Sequence, residues 1–173
     1  MGVDIHTIVE VKKDGKWIEA QMDVFGWRSY AIFGFLANIR NYSESEYLTN
    51  HRGFPDDSEY LNEIPYPSDS IWAGNETNRQ WINQGDYFGK GYLLLSELLA
   101  FDYNKTFWDR RITKPIMQGD RVVGYNGAAR AEEGEGQIIS YKEHLGQYFF
   151  DDLDKLKTLG EPENVRVIFY FDC

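Results

Sequence analysis

Cysteine is nearly absent from this chain: of 173 residues only Cys173 carries a thiol. That excludes an intrachain disulfide framework and any zinc site built on cysteines. A reducing, cytoplasmic setting is expected, because the first residues lack the charged and apolar regions of a secretion signal. No apolar run approaches the length of a membrane span, so no membrane partner is expected. Positive charge is scarce too, with 18 Lys and Arg against 28 Asp and Glu and a formal net charge of -10. A field of that sign repels phosphate backbones and anionic lipid, which argues against nucleic-acid polymers as general partners. Several catalytic signatures are also missing: there is no G-x-S-x-G, no H-E-x-x-H, no dinucleotide fingerprint and no Cys–His pair. The stretch GDYFGKG, Gly85 to Gly91, is one residue short of a phosphate-binding loop and has no Ser or Thr after Lys90. No cofactor is indicated, and the balance leans away from an enzyme.

What the chain does have is aromatic side chains, at 16% of residues, within an ordinary globular balance of 42% hydrophobic and 27% charged. The length suits one domain, 1–173, with a real core. Val3 to Val11 alternates as a strand, with Asp4, His6, Ile8 and Glu10 on one face, and Lys13-Asp14-Gly15-Lys16 turns it into a hairpin with Trp17 to Ala20. Helical spacing with Ser29 as N-cap predicts a helix over Tyr30 to Arg40. A second helix is expected over Leu93 to Asp102. The third and best marked runs from Tyr141 to Leu159, opened by a Ser140/Glu143 capping box and stopped by Gly160 and Pro162. Residues 41–81 read as irregular, Arg121 to Tyr125 as one strand of a pair with Ile116-Met117, and Ala128 to Gly136 as a mobile loop. Val165 to Phe171 is apolar on both faces, which belongs in the centre of a sheet. The expected fold is α+β: a mostly antiparallel sheet with helices packed on one face and long irregular loops.

Three constellations could carry chemistry. Asp4 and His6, with Glu10 further along the same strand face, have the residue types of a carboxylate–imidazole metal pair; the plainer reading is a polar face satisfied by its own hydrogen bonds. The other histidines, His51 and His144, have nothing in the sequence to bring them to Asp4. In NHRGFPDDS, Arg52 stands in a Gly- and Pro-shaped loop that can present a guanidinium to an anion, or pair with Asp56 or Asp57. In TFWDRRITK, the aromatic Phe107 and Trp108 accompany Arg110, Arg111 and Lys114, a set that suits stacking and phosphate pairing with a small nucleotide, or a solvated basic patch over a packed Trp. Trp72, Trp81 and Tyr87 are candidate pocket walls.

The opening MGVDIH followed by TIVEVKKDGKW, then RSYAIFGFLANIRN, RGFPDD and LLLSELLAFD, resembles a bacteriophage and prophage protein family. Its members begin Met-Gly-Cys-Asp-Ile-His. The resemblance covers about the first hundred residues, in order. It implies a phage origin, and hence a host-cell cytoplasm, but no activity. Members often carry a His-containing DGHSHSW-like segment before the Leu-rich helix, whereas Gly85 to Leu93 here holds Tyr87, Phe88 and Lys90 and no His. That departure lowers the expectation of a metal site with Asp4 and His6. The family-matching positions Asp4, His6, Arg28, Tyr30 and Arg52, with Trp108, Arg110 and Arg111, are the candidate ligand-binding residues, and no metal ligand is assigned. The leading expectation is a phage-type, non-enzymatic protein that binds a small nucleotide-derived ligand, such as a host immune signal, and sequesters it. The alternatives are a metal-dependent hydrolase using Asp4 and His6, and an acidic protein-interaction module or DNA mimic. The sequence leaves a homo-oligomer open.

Overall fold

The computed structural model describes residues 2–50, 52–67 and 75–173, so His51 and Trp72 lie outside the described residues. In chain order the elements are β1 (Asp4–Lys13), β2 (Lys16–Ala20), α1 (Tyr30–Ala37), α2 (Glu59–Asn62), α3 (Asn78–Gln84), β3 (Phe88–Leu94) and α4 (Leu95–Ala100). They continue with β4 (Thr106–Asp109), β5 (Arg111–Gln118), β6 (Arg121–Arg130), β7 (Gln137–Ser140), α5 (Tyr141–Leu145), α6 (Gln147–Lys157) and β8 (Val165–Asp172). Every pairing between these strands is antiparallel, and the fold is α+β. Two compact units are present: Met1–Arg28, Thr49–Phe101 and Phe150–Cys173 form the first, Ser29–Leu48 and Asp102–Phe149 the second.

The first unit is built on a four-stranded sheet in the order β2-β1-β8-β3. The two-sided apolar pattern of β8 puts it inside this sheet, where Val165, Val167, Ile168, Phe169 and Phe171 are all buried. Its register sets His6 opposite Tyr170, Ile8 opposite Ile168 and Glu10 opposite Arg166. The face bearing His6 is covered at Ile8 and Ile168 but half-exposed at His6 and Asp172. Ile8 and Ile168 pack against Leu61 of α2 and Ile82 of α3, flanked by Phe54, Tyr60, Tyr87, Tyr92 and Tyr170. On the opposite face Val9, Val167 and Leu93 lie in register and are buried. At Gly91 a Cβ would come 2.8 Å from the Phe169 ring, so the close approach of β3 to β8 depends on a bare backbone there.

Within residues 41–81, expected to be irregular, α2 and part of α3 are helical. Ser58 Oγ accepts the Leu61 N–H at 3.1 Å, and Thr77 shares a reciprocal capping box with Gln80. Leu61 is the one buried residue of α2 and Ile82 the one buried apolar residue of α3, too few positions to leave a periodic stripe. The helix expected from Leu93 is shorter than read, because Leu93 and Leu94 complete β3 opposite Val167 and Arg166 before α4 begins.

In the second unit, Ser29 caps α1 as expected, but the helix ends at Ala37 rather than Arg40. Asn38 takes the left-handed conformation, φ 58° and ψ 24°, and Asn38 and Ile39 donate their N–H groups back to Gly34 and Phe33. Buried from Ile32 to Ala37, α1 sets Phe35 among Tyr103, Tyr141 and Phe149, with ring centroids 5.8 to 5.9 Å apart. Two strand pairs complete this unit, β4 with β7 and β5 with β6. Strand β6 runs through Arg130 and so takes in Ala128 to Arg130, read from the sequence as loop. The helix expected from Tyr141 to Leu159 is two helices. The Ser140/Glu143 capping box opens α5 as read, and Gly146, at φ 75° and ψ 170°, separates α5 from α6.

Candidate functional site

The end of the sheet formed by the start of β1 and the finish of β8 brings Asp4, His6, Tyr170 and Asp172 together. Strand alternation puts Asp4 and His6 on one face, and antiparallel register puts Tyr170 and Asp172 on the same face of the neighbouring strand. His6 Nε2 lies 3.1 Å from Asp172 Oδ2. The imidazole stacks on Tyr170, centroids 4.8 Å apart at 14°, and Tyr87 stands edge-on to both rings at 5.8 and 5.1 Å. Burial pushes the phenols of Tyr87 and Tyr170 above their ordinary range, so both act as neutral hydroxyls at physiological pH.

Beside this cluster is a cleft of about 460 Å³ lined by Trp81, Gln84, Gly85, Asp86, Tyr87, Asp172 and Cys173. The capping box of α3 fixes the helix that carries Trp81, whose indole stacks on Tyr66 at 4.5 Å and 15°. Trp81 and Tyr87 do line a cleft. Asp172 and Asp86, which lie there too, had no distinguishing mark in the sequence. The signal available for Asp172 was its alternation with Tyr170 on a strand already read as central.

The remaining candidates fall into place unit by unit. In the first, Asp4 spends both carboxylate oxygens on Arg28: Nε donates to Oδ1 at 2.7 Å and Nη2 donates to Oδ2. This pairing holds the Asp4 carboxyl below the usual carboxylate range. Arg52 forms an ion pair, but a two-pronged one with Glu97, at 2.7 and 2.8 Å, rather than with Asp56 or Asp57. Asp57 instead accepts from Arg166 Nη1 at 2.7 Å. Glu10 is fully enclosed and accepts from Arg166 Nε at 2.7 Å and from the Ser58 hydroxyl, with the Arg166 guanidinium 4.1 Å above the Trp17 ring. Glu10 thus serves a buried ion pair and is not offered to a metal beside Asp4 and His6. Among the described residues, no group of three or more His, Cys, Asp and Glu is placed to hold a metal ion.

In the second unit, Trp108 and Arg110 do meet. The guanidinium lies 4.3 Å from the indole centroid, while Trp108 Nε1 donates to the Glu135 carbonyl at 2.9 Å. Arg110 also donates to the Ala131 carbonyl and sits 3.5 Å from Glu44. Arg111 turns away, donating to the Gly127 carbonyl at 2.8 Å and standing about 6 Å from the rings of Tyr30 and Tyr42. Trp108 lines a shallow hollow of about 310 Å³ with Gly134 to Ile138. Arg28, Arg52 and Arg110 thus face carboxylates of their own unit, so a phosphate at any of them competes with an ion pair already made.

Comparison with protein-family models, with curated proteins and with solved structures finds no match. Among the described residues, no helix is long and apolar enough to cross a membrane.

Proposed function

We propose that this protein binds a small molecule at the sheet-end cleft and holds it without consuming it. The observation that carries this reading is the cleft itself: a volume of about 460 Å³ walled by Trp81 and Tyr87, with Gln84, Asp86 and Asp172 as polar groups to fix orientation. The aromatic walls suit the base or nucleoside part of a nucleotide-derived ligand. Its phosphate part is served less well, since among the described residues no Lys or Arg lines the cleft. The sequestration of a host signal by a phage protein is the setting that the resemblance supplies. The metal-hydrolase alternative loses support where Asp4 is engaged by Arg28 and Glu10 by Arg166.

A thermal-shift screen of the whole chain against nucleobases, nucleosides, nucleotides and divalent metals tests the proposal. Binding to the folded state raises apparent stability by mass action. A stabilising nucleoside recovered intact by chromatography upholds it. Recovery as product, or a shift that needs metal, replaces it with a hydrolase, and silence across the panel removes the small-molecule reading.

A second reading, a protein-interaction module, has one observation in its favour. The β5–β6 hairpin exposes Ile116, Met117, Val122, Val123 and Tyr125, the last at 71%. Light scattering of the purified protein, alone and with Val123→Lys, reports whether this surface associates.

A further inference from the structure

We infer that the sheet-end cleft selects a planar, positively charged ring, such as an N-alkylated pyridinium or quinolinium, over its neutral counterpart. The inference rests on the small-molecule reading above and names the ligand class for the same cleft. Its walls and its charges come from different elements. Trp81 is carried by α3, Tyr87 and Asp86 by the turn that follows it, and Asp172 by the last position of β8. Two aromatic side chains and two carboxylates therefore line one concavity, with no Lys or Arg among them.

Each feature favours a cation for its own reason. Aromatic faces carry negative quadrupole density and attract a delocalised positive charge. A carboxylate beside such a ring adds a Coulomb attraction that a half-enclosed cleft screens less than open water does. Asp172 directs Oδ2 at His6 Nε2, 3.1 Å away, which fixes the side chain's orientation at the mouth of the cleft. A chain of net charge -10 also draws cations toward its surface. An anion meets the reverse of each term. The cluster of His6, Tyr170 and Tyr87 behind Asp172 acts as support: its rings are packed on one another, so the carboxylate is presented from a rigid base.

The test uses matched pairs that differ in charge at nearly constant shape: 1-methylnicotinamide against nicotinamide, and N-methylquinolinium against quinoline, measured by titration calorimetry on the full chain at pH 7.5. The cation of each pair is expected to bind about ten-fold more tightly at low salt, and the preference to shrink as salt rises. Asp86→Asn and Asp172→Asn are each expected to reduce the preference and the double variant to erase it, with a thermal melt confirming that each variant is folded. Trp81→Leu is expected to weaken the cation in both pairs. Equal binding within the pairs, or a preference for the neutral member, overturns the charge selection while the small-molecule reading stands. A preference that survives in the folded double variant also overturns it, since the charge would be read elsewhere. Failure of all four compounds to bind overturns the inference, and the screen of nucleosides then decides the broader reading separately.

Discussion

A charge enclosed in a protein interior must be neutralised where it sits, and Glu10 is the clearest case in this chain. Burial pushes its carboxyl above the ordinary range, against the pull of Ser58 and Arg166. Replacing Arg166 by Met strands that carboxylate, and the expected loss is about 3–5 kcal/mol in urea unfolding. The double variant Glu10→Gln with Arg166→Met is expected to recover much of it, because the uncompensated charge is then gone. His144 gives a pH signature. Its side chain is buried, its Nε2 has no hydrogen-bond partner among the described residues, and burial lowers its pKa below the ordinary 6.5. The folded state therefore resists the proton that the unfolded chain accepts. Its contribution is complete above pH 6.5 and is lost as the pH falls below that value. The urea midpoint is expected to drop from pH 7.5 to 5.5, and His144→Phe to flatten that part of the slope. Neither role was visible in the residue itself: Glu10 read as a third group on a polar face, and His144 as a histidine with nothing in the sequence to bring it to Asp4.

Elements announced themselves where local chemistry alone decides them. Ser29, and Ser140 with Glu143, marked helix starts because a side-chain oxygen satisfies an N–H that the helix leaves over, a rule that needs no tertiary partner. The break at Gly146 was missed for the opposite reason, since the apolar stripe continues through it. Its φ and ψ fall in a region that is nearly closed to other residues, so Gly146→Ala is expected to cost about 1–3 kcal/mol, read as a lowered melting temperature. Strands β4 and β7 were also missed, because four-residue strands owe their existence to each other rather than to a pattern of their own. The β5–β6 hairpin predicts a contrast. Val123→Lys lies on an exposed position and is expected to move the urea midpoint by no more than about 0.5 kcal/mol, far less than any buried substitution above.

For the whole molecule the dominant quantity is charge. A net charge of -10 predicts no mobility shift with duplex DNA at physiological salt, since a field of that sign repels the phosphate backbone. The same charge opposes self-association at neutral pH, and the sequence pI near 4.7 predicts that turbidity rises as the pH is lowered toward that value. The notion of arginines waiting for a phosphate weakens at this scale. With acids outnumbering bases, Arg28, Arg52 and Arg110 each found a carboxylate within their own unit.

The sequence by itself determined the α+β class, the hairpin of β1 and β2, the inner position of β8 and the capped helix starts, because these follow from alternation, turn chemistry and caps within a few residues. It also placed Asp4 and His6 on one strand face and named Trp81 and Tyr87 as walls. Tertiary structure alone decided who meets whom: His6 with Asp172, Asp4 with Arg28, Arg52 with Glu97, and Glu10 with Arg166. These partners are 24 to 166 positions apart along the chain, and only strand register and loop packing bring them within reach. A cleft assembled from α3, the turn after it and the end of β8 has no counterpart in any single stretch of sequence.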